Sequence, residues 1–236
     1  MDWPYAIGEL FIVTIGVLIA LAFGEWNSDR LERAEEFDVL SRLISDIEMD
    51  VEGFGTRLIF IDRKEESLFR VSSALSNGGP PNTTEFLHDI IKGADFGWMQ
   101  GSVNRMTFDD LLGSKGLAII SDTEVRVLIA TYYKDYSHEL VRIDEHETEY
   151  PYISYQLVPR SIELTQTGHP DESYLESGLS NAEIKEIVKA VQESSIRDHL
   201  TAEINLARLF REITNGYTGR AVDLIARLKE YQSEIR

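Results

Sequence analysis

The stretch AIGELFIVTIGVLIALAFGEWN, residues 6–27, is an apolar run that contains one acidic residue, Glu9, close to its start. A helix that crosses the hydrocarbon core of a bilayer needs about 20 mostly apolar residues. Residues 6–23 form such a run, with Glu9 and Thr14 as the polar interruptions. The sequence therefore predicts a transmembrane anchor over residues 1–24, with the lipid bilayer as its first partner.

Aromatic residues stand at both ends of the run. Trp3 and Tyr5 precede it and Trp26 follows it, and amphipathic rings prefer the two membrane–water interfaces. The alternative is a cleaved signal peptide, because Ala20-Leu21-Ala22 resembles a small-x-small cleavage site. However, no Lys or Arg precedes Arg30, and an acid within the apolar segment is atypical of a signal peptide. We therefore expect the anchor to be retained, with Trp3, Tyr5 and Trp26 as its interface anchors.

Charge near the run leaves the membrane orientation open. Arg30, Arg33 and Arg42 lie on the C-terminal side of the run, and this bias alone would keep the following domain in the cytoplasm. Acidic residues are interleaved with these arginines, and long domains translocate largely regardless of charge. The residues themselves therefore do not decide on which side of the membrane the soluble domain lies.

Beyond the run, apolar residues recur at alternating spacings of three and four, the pattern of a heptad seam. The seam positions are Phe37, Leu40, Ile44, Ile47, Val51, Phe54, Leu58, Ile61, Leu68 and Leu75, with Glu65 and Ser72 as exceptions. The same register extends back to Tyr5 without a skip, so it predicts one helix over residues 5–75, about 105 Å long at 1.5 Å per residue. Its weakest point is Gly53 and Gly55, where a kink is most easily accommodated.

The heptad register places Glu9 on the packing side of the membrane helix. Gly16 shares its face, and Gly16, Ala20 and Gly24 form a small-xxx-small series that lets two membrane helices approach closely. Glu9 then has three interpretations: it reaches the head groups, it is protonated or hydrogen-bonded between paired helices, or it belongs to a proton or ion pathway. The third needs further intramembrane polar groups, of which this span supplies almost none. Glu9, Gly16, Ala20 and Gly24 form the candidate seam for membrane-helix packing.

The rest of the chain predicts further helices and almost no strand. Gly78-Gly79-Pro80-Pro81 cannot continue the first long helix, which we expect over about 25–76. Short helices are predicted over about 84–92 and 106–113, a long helix over about 122–157, and further helices over about 180–193 and 195–234. The expected fold is all-α, with one N-terminal transmembrane helix continuing into a long helix. This helix packs with further long helices as an elongated antiparallel bundle, and residues 25–236 form the soluble domain.

Capping or spacing signals support four of these helices. Thr84 is a candidate N-cap for the first short helix, Asp122 for the long one, and Ser180 with Glu183 forms a capping box. Helical spacing predicts inward-facing residues at Val125, Leu128, Tyr132, Tyr136, Leu140 and Ile143. In the last helix it predicts Ala207, Phe210, Tyr217, Ala221, Leu224, Leu228, Tyr231 and Ile235.

Composition excludes several classes of partner and site. The chain carries 23 Lys and Arg against 41 Asp and Glu, a formal net charge of -18, in 236 residues. We expect no nucleic acid partner, because binding a phosphate backbone needs a basic surface. The chain has no cysteine, which excludes disulfides, thiolate metal sites and cysteine nucleophiles.

The histidines give a weak case for a metal. Two acid-x-x-His spacings occur, Glu85 with His88 and Asp135 with His138. Di-iron bundles instead use two Glu-x-x-His helices and a glutamate from each of two other long helices. Chance pairs are expected among so many acids, so we predict no metal, no cofactor and no catalytic residue.

A glycine-flanked loop carries the aromatic and sulfur-containing cluster Phe96, Trp98 and Met99. Buried aromatic side chains contribute much of the apolar area of a core, so the cluster is expected to plug one end of the bundle. The alternative interpretation is a contact surface for a partner or ligand, because exposed apolar patches mark such sites.

Two blocks of sequence carry a resemblance. The first is Ala6-Ile7-Gly8-Glu9 with residues 15–21 and Trp26-Asn27, and the second is residues 108–117 with Ile120-Ser121-Asp122 and Tyr132-Tyr133. Both are similar to an uncharacterised bacterial family of small single-pass membrane-anchored helical proteins, described only as a domain of unknown function. The resemblance implies a bacterial inner (cytoplasmic) membrane protein with a periplasmic helical domain, and it assigns no catalytic or ligand residue. Members usually carry Lys or Arg before the span, whereas this chain starts Met1-Asp2-Trp3.

Three functions from different classes fit the sequence. The first is a membrane-anchored interaction or scaffold protein, without enzymatic activity, that forms homo-oligomers or binds another membrane protein. The second is an extracytoplasmic ligand-sensing bundle, which would act through a partner because such sensors need a second span to transmit a signal. The third is a metal-dependent helical-bundle enzyme. We favour the first, because the continuous heptad pattern supports it most directly.

Overall fold

The computed structural model describes residues 3–77, 79–95, 103–144, 148–159 and 179–235, and for residues 3–10 and 137–144 it describes the backbone alone. This part of the chain is all-helical and contains no strand. The α-helices are α1 (Trp3–Ser76), α2 (Thr84–Ala94), α3 (Met106–Gly113), α4 (Thr123–Asp144), α5 (Tyr150–Leu157), α6 (Asn181–Glu193) and α7 (Ile196–Glu234). A short 3₁₀ helix, Leu117–Ile119, precedes α4.

Helix α1 continues for 74 residues, in agreement with the one helix predicted over residues 5–75. It passes through Gly53 and Gly55, and a Cβ at either position would meet no atom within 4 Å. The helix ends at Ser76, shortly before Gly79, whose φ of 105° lies in the region that favours glycine. Pro80 and Pro81 follow and have no N–H group with which to extend the helix.

Two of the three predicted caps are present, and the third moves by one residue. Asp122 Oδ1 accepts hydrogen bonds from the N–H groups of Glu124 (2.7 Å) and Val125 (3.0 Å). Ser180 with its Glu183 partner forms the predicted capping box. The prediction of Thr84 as the N-cap of α2 is wrong. The cap is Thr83, whose extended backbone directs its hydroxyl to accept the N–H group of Phe86.

The segment predicted as one helix over about 122–157 contains two described helices, α4 and α5, and residues 145–147 between them lie outside the described part. Pro151 lies in the first turn of α5. Proline is favoured there because the first N–H groups of a helix have no acceptor within it, whereas in a helix interior it removes a hydrogen bond. This residue therefore fits a helix start better than the interior of a longer helix.

The chain forms two compact units, and α1, α4 and α7 contribute residues to both. Unit 1 comprises Met1–Met49, Asn104–Tyr133 and Val222–Arg236. Its buried apolar residues include Leu40, Leu43, Ile44, Ile47, Phe108, Leu111, Ile120, Val125, Ile129, Tyr132, Tyr133, Leu224, Leu228 and Tyr231. The rings of Phe108 and Tyr133 stack at 4.3 Å, so α3 and α4 are packed together in this unit.

Unit 2 comprises Asp50–Val103 and Lys134–Ala221. Its main core joins residues of α1, α2, α5, α6 and α7: Leu68, Val71, Phe86, Leu87, Ile90, Tyr150, Ile184, Val188, Val191, Ile196, Leu200 and Ile204. A second cluster is built from Ile61, Leu206 and Phe210. Helix α7 therefore contributes to both clusters, which makes it a central element of this unit.

Candidate functional site

The N-terminal part of α1 has the features of a surface that contacts something other than this chain. Residues 11–35 are all exposed, and the first buried residue of the helix is Glu36. By length and composition α1 is apolar enough to cross a membrane, and none of its apolar window is buried against the rest of the molecule. Exposed apolar surface on this scale marks a membrane or partner contact.

An aromatic and basic group marks the end of the apolar segment. The Trp26 side chain is 59% exposed, its ring lies edge-on to Phe23 at 6.2 Å, and the guanidinium of Arg30 lies 5.8 Å from its centroid. Trp26 therefore lies at the boundary between apolar and charged residues, as an interface anchor requires. The other two predicted anchors, Trp3 and Tyr5, have side chains outside the described part.

The small-residue seam is open on the described part of α1. A Cβ added at Gly16 or Gly24 would meet no atom within 4 Å, and Ala20 is exposed. No described residue of this chain therefore covers that face. The fourth residue of the seam, Glu9, lies in α1 but its side chain is outside the described part.

A groove of about 550 Å³ in unit 1 lies where α1 emerges from the apolar segment. Its lining residues are Trp26, Asp29, Arg30, Arg33, Ala34, Phe37 and Ile235. Trp26 was predicted as an interface anchor, whereas no site was predicted at Arg30 and Arg33. Ile235 completes the groove, and because it lies about 200 residues further along the chain, no local sequence pattern connects it to α1.

A buried carboxylate connects three segments of unit 1. Glu36 accepts hydrogen bonds from the Ser121 N–H group (2.6 Å), the Ser121 hydroxyl (3.0 Å) and the Tyr231 hydroxyl (2.6 Å). The Tyr231 oxygen also accepts the N–H group of Asp122 (3.2 Å). Burial and the hydrogen bond to Glu36 raise the pKa of Tyr231. These contacts fix the start of α4 against α1 and α7.

A second buried polar group lies in unit 2. The Lys64 ammonium lies 2.5 Å from the Glu203 carboxylate and donates to the backbone oxygen of Asp95 at 3.1 Å. Thr148 donates a short hydrogen bond to Glu203. Burial lowers the pKa of Lys64, and the Glu203 carboxylate opposes this effect. With every polar partner supplied by the chain itself, the group holds together α1, α7 and the segments after α2 and before α5.

The acid–histidine pairs considered for a metal do not assemble into a site in the described residues. His88 is buried, whereas Glu85 is exposed at the start of α2. The side chain of His138 lies outside the described part. Among the residues that the structure describes, no group of three or more His, Asp or Glu side chains could hold a metal ion.

The loop cluster of Phe96, Trp98 and Met99 lies outside the described residues, so neither of its interpretations is tested. The polar clusters around Glu36 and Lys64 are satisfied by the chain, and this leaves the apolar segment of α1 and the adjoining groove as the candidate site. Comparison of the chain with protein-family models, with curated proteins and with solved structures finds no match.

Proposed function

We propose that this protein is a membrane-anchored helical interaction protein that associates with itself through the small-residue face of α1. The observation that carries the proposal is the apolar segment of α1, none of which is buried by the rest of the chain. Apolar surface left in water costs about 25 cal/mol per Å². A bilayer removes this cost, so the lipid bilayer is the partner that best fits the segment.

Self-association follows from the chemistry of that face. Lipid tails are as apolar as the helix, so membrane helices associate by close packing and hydrogen bonds rather than by the hydrophobic effect. Gly16, Ala20 and Gly24 permit close approach, and no described residue of the same chain covers them. Glu9 shares the heptad register, where its carboxyl group would be protonated or hydrogen-bonded to a second copy. A homo-oligomer is therefore the association that we propose, with another membrane protein as the alternative occupant.

The proposal includes an antiparallel bundle as the scaffold. Within unit 1, Glu36 bonds to Tyr231 and Glu48 pairs with Lys229. Within unit 2, Phe54 lies against Tyr217, Asp62 pairs with Arg211 and Glu65 with Arg208. In each unit the partner number falls along α7 as the number rises along α1, which supports antiparallel packing of these two helices.

The family resemblance supports a bacterial inner membrane with the helical domain on the periplasmic side, and we include this orientation in the proposal. A reporter fused after Arg236 tests it, using one reporter that is active only in the periplasm and one that is active only in the cytoplasm. Activity of the periplasmic reporter alone is the expected result. Activity of the cytoplasmic reporter alone would overturn the orientation but not the anchoring.

Anchoring and self-association are tested together on the full chain. We expect the protein to stay in the membrane fraction after an alkaline wash, and to form cross-linked dimers or larger species in mild detergent. Analytical ultracentrifugation in the same detergent gives the stoichiometry. Release by the alkaline wash contradicts the anchor. A strict monomer across protein concentrations contradicts self-association and leaves the anchor intact.

A further inference from the structure

We infer that the groove lined by Trp26, Arg30, Arg33 and Ile235 binds the head group of a zwitterionic aminophospholipid. In this assignment Arg30 and Arg33 bind the phosphate and Asp29 binds the ammonium. The inference deepens the proposed function and rests on the membrane anchoring of α1.

The depth of the groove is the first argument. Trp26 is three residues beyond the end of the apolar run at Phe23, and Arg30 is one further turn along the helix. Cα–Cβ bonds in an α-helix tilt towards its N-terminus, so these side chains extend back towards the membrane. The 5.8 Å contact of the Arg30 guanidinium with the Trp26 ring shows this direction. Long basic side chains near a span reach the head groups in the same way.

The lining of the groove has the chemistry that a phosphate requires. A phosphate is bound best by guanidinium groups, which present several N–H donors in a fixed plane. Most arginines of α7 form ion pairs with acidic residues, for example Arg211 with Asp62 and Arg227 with Asp122. In the part of the chain that the structure describes, Arg30 and Arg33 have no carboxylate within ion-pair distance. The donors of both arginines are therefore not held by an ion pair, although Asp29 lines the same groove.

Charge balance selects the kind of lipid. The chain has a formal net charge of -18, and Asp29 lines the groove beside the two arginines. A net anionic head group would meet repulsion from the surrounding acids. A head group with both a phosphate and a primary ammonium matches two cations and one acid in the same groove. The membrane anchor supplies the local concentration, so long-range attraction to an anionic surface is not required.

The apolar part of the lining completes the match. Trp26 and Phe37 are exposed large hydrophobic residues, and Ile235 faces them from just beyond the end of α7. A lipid carries its glycerol and first methylene groups on the membrane side of the phosphate, where Trp26 lies, so it can cover the Trp26 ring. Neither free phosphate nor a soluble head group has that apolar portion.

A second copy of the chain fits the same groove less well. Trp26, Arg30, Arg33 and Phe37 lie on one heptad register, which a parallel pair of helices would bring face to face with itself. Arg30 would then lie near Arg30 of the other copy, and like charges at such positions oppose pairing. Two chains that associate through Gly16 on this register therefore have to separate before Arg30, and this leaves the groove open to a lipid.

The test uses the full-length protein in detergent, with lipid adducts counted by native mass spectrometry. Phosphatidylethanolamine, phosphatidylcholine and phosphatidylglycerol are titrated separately, because only the first combines a phosphate with a primary ammonium. We expect one phosphatidylethanolamine per chain, retained more strongly than the other two. Arg30→Gln with Arg33→Gln should weaken its binding by at least about tenfold, because each change removes charge-assisted hydrogen bonds. Asp29→Asn should weaken phosphatidylethanolamine and not phosphatidylglycerol.

The control is the pair Arg63→Gln and Arg197→Gln, which makes the same change of charge at exposed positions of unit 2. This variant should bind as the wild type does. Unchanged binding in the Arg30 and Arg33 variant, or stronger retention of phosphatidylglycerol, overturns the inference. Displacement of the adduct by millimolar inorganic phosphate would assign the site to a soluble anion and overturn the lipid source. Loss of the protein from membranes after an alkaline wash would instead identify failure of the anchor itself.

Discussion

The Lys64 ammonium of α1 and the Glu203 carboxylate of α7 lie 2.5 Å apart, with 2% and 0% of their side chains exposed. The attraction between these two buried charges offsets their desolvation, because the desolvation penalty of either one alone is several kcal/mol. Two further hydrogen bonds, from Lys64 to the Asp95 backbone and from Thr148 to Glu203, supply additional partners to the two buried charges.

Removing one member of this ion pair should destabilise the protein strongly. We expect Lys64→Met to lower the free energy of unfolding by about 3–5 kcal/mol, because Glu203 would remain as a buried uncompensated charge. The double variant with Glu203→Leu should recover most of this loss. Chemical denaturation followed by circular dichroism measures both. As a control, Lys189→Met affects an exposed pair with Glu193 and should change stability by less than about 1 kcal/mol.

Tyr231→Phe should weaken unit 1 through a single oxygen atom. The Tyr231 hydroxyl donates to Glu36 and accepts from the N–H group of Asp122, so its removal leaves both groups with one partner fewer. The expected cost is about 1–3 kcal/mol. Tyr152→Phe removes the hydroxyl of a side chain that is 63% exposed and serves as the control. Equal effects of the two substitutions in thermal unfolding would contradict the role given to Tyr231.

Two glycine substitutions should have opposite signs. A Cβ at Gly93 would lie 2.7 Å from Leu68 Cδ2 and 3.0 Å from the Tyr150 hydroxyl, so Gly93→Ala should destabilise unit 2 by about 1–3 kcal/mol. At Gly53 the new Cβ meets nothing within 4 Å, and Gly53→Ala should stabilise α1 by up to about 1 kcal/mol. Melting temperatures that fall for both variants would contradict the open surroundings of Gly53.

Protonation of Asp122, the N-cap of α4, should lower the free energy of unfolding at acidic pH. Its carboxylate accepts backbone N–H bonds from Val125 and Glu124, which hold its pKa below the usual value of 3.8. The folded chain then binds this proton more weakly than the unfolded chain does. The contribution to stability is therefore complete above pH 3.8 and is lost as the pH falls through the lowered pKa. Asn caps a helix without titrating, so the stability difference between wild type and Asp122→Asn should shrink in that range. A constant difference would contradict the prediction.

Gly16→Leu should reduce self-association in detergent without affecting the packing of the rest of the chain. The added side chain blocks close approach at the small-residue seam, where no described residue of the same chain lies within 4 Å of a new Cβ. We expect a shift from dimer to monomer in sedimentation velocity. Ala22→Leu adds bulk to a different face of the same helix and should leave the distribution unchanged. A shift caused equally by both variants would assign the effect to general bulk rather than to the seam.

Helical periodicity predicted the buried face of α7 well. Seven of its proposed inward positions, from Ala207 to Tyr231, are buried, because long stretches of this helix pack on other parts of the chain. The same method failed at Phe37 and Leu128, which are 36% and 44% exposed. Period alone does not reveal where the covering element is absent, and α7 ends at Glu234 close to the level of Phe37.

Buried charge was the feature that the sequence could not predict. Lys64 lies outside the apolar seam, and Glu65 was an exception to it, yet both are buried because their partners lie on α7. Nothing local to residues 64 and 65 indicates Glu203 or Arg208. The groove depends in the same way on Ile235, which meets α1 only after the chain has folded. The small-residue face and Trp26, in contrast, are local patterns and could be identified directly.

The continuity of α1 across Trp26 and Glu36 has a rotational consequence. One helix joins the apolar segment to the first buried residue of unit 1, and each residue of an α-helix turns the chain by about 100°. The number of residues in 27–35 therefore sets the angle about the helix axis between the apolar segment and the packed part of unit 1. Deleting one residue there would turn it by about 100°, whereas deleting seven would nearly restore its phase. The length of the exposed helix thus fixes the rotation between the small-residue face of the apolar segment and the packed face of unit 1.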